Sequence, residues 1–196
     1  MNLTTADRYM TLFPESKASA SDSGYVGSLN MRINSVSRSV EKYLDRKLET
    51  AERTDYFTPS NGVGTKTVRV SAFPIVSVES VKLGGVELDS SYYAVNKETG
   101  VISFATQITR DMAIPYEDCL SVTYTGGMAT DTASFIDLFP DIEIEVLTQI
   151  RFEIMRVKDI AMKSVANGQT TAQLNPYGFL DALISVLDRY RPLGWS

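Results

Sequence analysis

The stretch FPIVSVESVKLGG, Phe73 to Gly85, decides the fold. Val76, Val78, Val81 and Leu83 alternate loosely with Ser, Glu and Lys, and this near-twofold apolar period belongs to a half-buried strand. Gly84 and Gly85 then supply two positions free to take positive φ, and VELD leads away, which predicts a tight hairpin. On both sides of this region the apolar residues repeat every three or four positions instead. A small sheet therefore sits between helices.

Further period-two runs surround the hairpin. TDYF and KTVRVS predict short strands separated by TPSNGVG, a loop rich in turn formers. YYAV, NKETG and VISF predict a second hairpin, and LSVTYT a last strand before Gly126 and Gly127. Before the strands, Leu29, Ile33, Val36, Val40, Tyr43, Leu44 and Leu48 mark one face of a helix over 28–49, with Ser28 as its cap and Arg32, Arg38, Glu41, Lys42, Asp45 and Arg46 on the wet side. After them, Ile142, Val146, Ile150, Ile154, Val157 and Ala161 predict a helix over 140–163, acidic at its start and basic at its end as the helix dipole favours. Asn175 as cap and Pro176 at the first position open a last helix over 176–190, which Pro192 stops. The expected fold class is α+β: a helical bundle with an inserted antiparallel β subdomain. We expect an N-terminal arm at 1–27 that stays out of the core, a helical core at 28–53 and 126–196, and the β subdomain at 54–125.

Composition narrows function by exclusion. The chain of 196 residues holds no histidine and one cysteine, Cys119. Without histidine the Ser-His and Cys-His dyads and the commonest zinc ligand are gone. A lone cysteine makes no internal disulfide, and its place in the alternating CLSVTY favours a packed side chain over a nucleophile. A formal charge of −5 argues against a surface that grips phosphates throughout. No apolar run approaches the ~18 residues of a membrane span, and MNLTTADRYMTLFPESK lacks the basic-then-apolar pattern of a secretory signal. We expect no cofactor and no membrane partner.

Motifs with apparent chemistry read more simply as structure. NGVGTKT spaces its glycines and lysine wrongly for a phosphate loop and precedes a strand. YTGGMAT has no nucleophile elbow or base beside it. Asp137, Asp141, Glu143 and Glu145 could hold a cation or act as a carboxylate pair, yet acids at a helix start follow from the dipole alone. Arg38, Lys42, Arg46 and Lys47 alternate with Glu41, Asp45 and Glu49, which predicts surface pairing. The C-terminus differs: Tyr190, Arg191, Pro192, Leu193 and Trp195 concentrate residue types enriched at interface hot spots where a free end is usually polar. Composition leaves open whether they dock on a partner or cap their own core.

The segments INSVSRSVEKYLDRKL, FPIVSVESVKLGGVEL, YYAVNKETGVISF, LSVTYTGG, PDIEIEVLTQIRFEIMR and LDRYRP, in this order from about Ser28 onward, resemble the head-tail connector proteins of tailed bacteriophages, the adaptor or head-completion proteins. The resemblance implies a structural, non-catalytic protein of the virion neck, assembled in the host cytoplasm. It implies a homo-oligomeric ring, commonly of twelve copies, beneath the portal protein, through which double-stranded DNA passes without specific binding. It further implies a C-terminal segment reaching into the portal, here Tyr190, Arg191, Pro192, Leu193 and Trp195. The hairpin residues Phe73, Ile75, Val76, Val78, Gly84 and Gly85 are then candidates for contact with adjacent copies or with the next neck protein, a stopper. A stopper or tail terminator is the nearest alternative. A carboxylate-based hydrolase and a ligand-binding module are more distant ones.

Overall fold

The computed structural model describes residues 1–19, 21–58, 65–108, 119–163 and 178–191, with side chains described outside 17–19 and 157–163. Its class is α+β, and its chain divides into two compact units, Met1–Asp45 with Asp131–Ser196, and Arg46–Thr130.

The first unit holds the helices α1 (Ala6–Leu12), α2 (Ser23–Leu44), α3 (Thr132–Leu138), α4 (Pro140–Lys163) and α5 (Asp181–Leu187). The long helix before the strands begins five residues earlier than expected and ends five earlier. Asp22, not Ser28, caps it, its Oδ1 accepting from the Gly24 and Tyr25 amides at 2.9 and 3.3 Å. Asp45 in the left-handed conformation, φ 49°, ends it. The expected apolar face is the buried one: Leu29, Ile33, Val36, Val40, Tyr43 and Leu44. α4 spans the expected range and buries Ile142, Val146, Leu147 and Ile150. Its partners include α2 and α5. The expected cap Asn175 and Pro176 lie outside the described residues, but the expectation of a helix over 176–190 is corrected: α5 starts only at Asp181, after extended Leu180, and residues 188–190 form a turn.

The expectation that the N-terminal arm avoids the core is corrected. Leu3, Tyr9, Met10 and Phe13 are all buried. α1 is too short to stand alone, so it is held by tertiary contacts. The Leu3 amide donates to Ser37 Oγ at 3.0 Å, and Thr132 Oγ1 donates to the Asn2 carbonyl at 2.8 Å. The polar composition after Pro14 hid these anchors, because they lie before it.

The second unit contains β1 (Ala51–Phe57), β2 (Thr65–Arg69), β3 (Ile75–Leu83), β4 (Val86–Glu87), β5 (Tyr93–Asn96), β6 (Val101–Ile108) and β7 (Leu120–Gly126). They form two antiparallel sheets, ordered β1-β7-β3-β4 and β2-β6-β5. β3 and β4 meet at Gly84 and Gly85, φ 59° and 79°, so the predicted hairpin is present with the turn its glycines require. One core joins the two sheets: Ile75, Val81, Leu120 and Val122 from the first, Val68, Ile102, Phe104 and Ile108 from the second. β7 shows why its sequence alternates, since Leu120, Val122, Tyr124 and Gly126 are buried while the residues between them are half-exposed. Cys119 is buried, a packed side chain as expected.

Tyr124 brings a polar group into this core. Its hydroxyl donates to Asp55 Oδ2 at 2.8 Å and accepts from the Ala72 amide at 2.9 Å, while Ser71 donates its amide and hydroxyl to Asp55. Tyr124→Phe leaves the Ala72 amide without that acceptor, so we expect a loss of about 2 kcal/mol in urea unfolding. Burial, ahead of any hydrogen bond, raises the Tyr124 phenol above its ordinary 10.0. The folded chain then holds a proton that the unfolded chain releases, so this stability is complete below pH 10 and is lost as pH rises through the folded value. Thermal melts from pH 8 to above 11 should show a shallower alkaline decline for Tyr124→Phe than for the wild type.

Candidate interaction surfaces

Each unit presents one region singled out by the sequence. In the first, the chain after α5 folds back on its own unit. The Tyr190 hydroxyl donates to Asp141 at 3.0 Å, and its ring meets Phe139 edge-on at 5.6 Å. Burial and the Asp141 carboxylate raise its phenol pKa. The Arg191 guanidinium lies 5.2 Å from the Tyr43 ring, whose hydroxyl donates to Asp188 at 2.6 Å. These contacts fix the point from which the last residues depart. Pro192, Leu193 and Trp195 lie outside the described residues.

The start of α5 has no side-chain cap of its own, and Gln149 on α4 substitutes for one. Its Oε1 accepts the Leu180 amide at 2.9 Å, and its Nε2 donates to the Gly178 carbonyl at 3.1 Å. Gln149 is fully buried, so both halves of the amide need partners and both find them. A glutamine within an apolar helical period gives no sequence signal for this task.

The acidic set at the α3–α4 junction separates by role. Asp141 serves Tyr190. Glu143, fully buried, accepts from Arg8 Nε at 2.9 Å and Nη2 at 2.7 Å, and from Thr4 Oγ1 at 3.0 Å. Asp137 is exposed and Glu145 half-exposed. Among the described residues no group of three or more potential metal ligands is assembled, and no described helix is long and apolar enough to cross a membrane.

In the second unit, the hairpin candidates fall into two groups. Phe73 and Ile75 are buried, at 3% exposure each, and belong to the interior. Val76 is 58% exposed, Val78 and Gly84 are half-exposed, Gly85 is exposed, and Val86 beyond the turn is 70% exposed. Strand alternation explains the split, since Ile75 faces the core and its neighbour Val76 therefore faces outward despite its place in an apolar run. Arg46 and Lys47, expected on the first helix, lie beyond its end. Arg46 is not solvated: it is 9% exposed, with its guanidinium 4.7 Å from the Phe73 ring.

The family model of the head completion protein matches residues 2–193, through both units. The chain belongs to the head completion protein family. It is thus a structural head-tail connector. Its fold is similar to that of a chain in the "neck of empty GTA particle computed with C6 symmetry", at TM-score 0.51 and 13% identity, covering 87% of this chain and 80% of that one. A chain of the "virion of native gene transfer agent (GTA) particle" is similar at TM-score 0.50 and 11% identity, covering 87% and 79%. No curated protein sequence matches the chain.

Proposed function

We propose that this head completion protein acts as a ring of identical copies in the virion neck, beneath the portal protein, where it lengthens the DNA channel and receives the next neck protein. The observation that carries the reading is the family match over residues 2–193, which takes in the helical unit and the sandwich together. One chain of similar fold belongs to a neck with C6 symmetry, and we carry rotational symmetry over to this protein, with twelve copies as the expected number. A closed ring is a heterologous assembly, so each copy needs two different complementary faces. In this reading the helices pack as a bundle forming the ring wall. Val76, Val78 and the Gly84–Gly85 turn face a neighbouring copy or the stopper. The segment from Tyr190 to Trp195 docks on the portal, starting from the seat that Asp141, Phe139 and Tyr43 make. DNA passes without specific binding, as the net charge of −5 favours. The role is structural and needs no cofactor.

Co-sedimentation with portal-bearing, DNA-filled heads tests this. The intact chain should bind saturably, and a chain ending at Arg191 should lose binding while keeping its melting temperature, because Tyr190 and Arg191 keep their internal contacts. Equal binding by both would remove the tail from the docking surface. No binding by the folded intact chain would overturn the connector reading for the portal.

A further inference from the structure

Charges buried in a folded chain are almost always paired, because the solvation they lose must be replaced. In the helical unit the rule is obeyed, with Glu143 held by Arg8 and Thr4. Arg46, in the second unit, departs from it. Its guanidinium carbon stands over the Phe73 ring, 4.7 Å from the centroid, but no carboxylate or carbonyl among the described residues accepts from it. Its Nε is fully enclosed and unpartnered, whereas its two terminal nitrogens, equally without a hydrogen bond, are not enclosed. The stem is thus locked in the protein while the charged tip reaches the surface. Burial alone lowers its pKa to about 10, with no nearby anion opposing the fall.

The surroundings are built for a fixed tip. Phe73 is buried and packs closely on Gly100, where an added Cβ would come within 2.9 Å of the Phe73 Cβ. A second guanidinium, Arg69, lies 6.0 Å from the same ring. A planar guanidinium with two outward nitrogens matches a carboxylate in a two-point fork.

We infer that the Arg46 tip on Phe73 is a receptor for one carboxylate side chain of a neighbouring copy of this chain. This rests on the ring reading and specifies one of its faces. A second copy is the favoured donor because the chain has more acids than bases, and Glu52, Glu87 and Glu98 stand exposed with no ion pair among the described residues. A DNA backbone is the poorer fit, because gripping a polyanion takes several phosphate contacts and this chain is negative overall. The arriving carboxylate would restore to Arg46 the pairing that it lacks.

The test uses the full chain and its own heads. Arg46→Gln and Arg46→Lys are compared with wild type by co-sedimentation and by counting copies per head in electron micrographs. Truncating one member of a buried charged pair at an interface weakens binding on the order of 30-fold or more, so Arg46→Gln should require that much more protein for half-saturation. Arg46→Lys should fall between. If the wild type fails to bind, the connector reading itself has failed. If the wild type binds and Arg46→Gln binds equally in full copy number, only this inference is overturned. Should Arg46→Gln not fold, the decision passes to the wild type, observed through the Arg46 Nε–H signal in NMR at constant ionic strength. A saturable shift with glutarate supports the inference. No shift overturns it, as does a shift confined to a short DNA duplex.

Discussion

Gly127→Ala is expected to cost about 4 kcal/mol or more, combining a backbone conformation closed to side chains with a collision that cannot relax. Gly127 has φ 143°, and a Cβ there would stand 2.4 Å from the Thr50 amide nitrogen and 2.5 Å from the Glu49 carbonyl group. Both obstacles are backbone. They are also tied on each side: the Met128 amide donates to Leu48 at 2.7 Å, and the Thr50 amide donates to Ala129 at 2.7 Å. Moving Thr50 away therefore breaks the pairing that starts β1 beside β7. Gly85→Ala separates the two causes, because Gly85 also has positive φ, 79°, but a Cβ there meets nothing within 4 Å. It should lose only about 1–2 kcal/mol, the strain alone. Urea unfolding of both variants decides the matter. Equal losses would mean that the contact with Glu49 and Thr50 relaxes after all.

These glycines also show what the sequence could and could not disclose. The strand-turn-strand reading of residues 73–85 succeeded because the information is local: a period of two, then two residues that tolerate φ > 0. The helix faces were legible for the same reason, in Leu29 to Leu44 and in Ile142 to Ile150. The division of the strands into two sheets was not legible, since β2 pairs with β6 and β1 with β7 across long separations that no short period records. Gly126 and Gly127 were readable as an exit from a strand, but not as the place where two backbones nearly touch. Among the candidate contact residues, Phe73 and Val76 read alike as members of one apolar run. Strand alternation after the inward Ile75 separates them, leaving Phe73 as a buried platform for a charge and Val76 exposed. Arg46 read as one more charge on a wet face because the helical period was continued five residues past the true end at Leu44.

Removing Arg8 should strongly destabilise the helical unit. Its side chain is half exposed, at 51%, and by that measure looks like an ordinary surface arginine whose ion pair contributes little. The geometry argues otherwise, because its partner Glu143 is fully buried and depends on Arg8 for two of its three side-chain hydrogen bonds. Arg8→Ala leaves a buried carboxylate held by Thr4 alone. Breaking a buried pair from one side costs about 3–5 kcal/mol, and the partial exposure of Arg8 places the expected loss near the lower end, about 3 kcal/mol. Arg8→Ala combined with Glu143→Leu removes the stranded charge along with its partner, so the double variant should be more stable than Arg8→Ala alone. A double-mutant cycle in urea reads this directly. A loss under about 1 kcal/mol for Arg8→Ala would reduce the pair to a surface contact. The expected loss would also carry a consequence for the arm. Leu3, Tyr9, Met10 and Phe13 are buried on the same short segment, so freeing Arg8 should increase proteolysis near Pro14 before the rest of the chain unfolds.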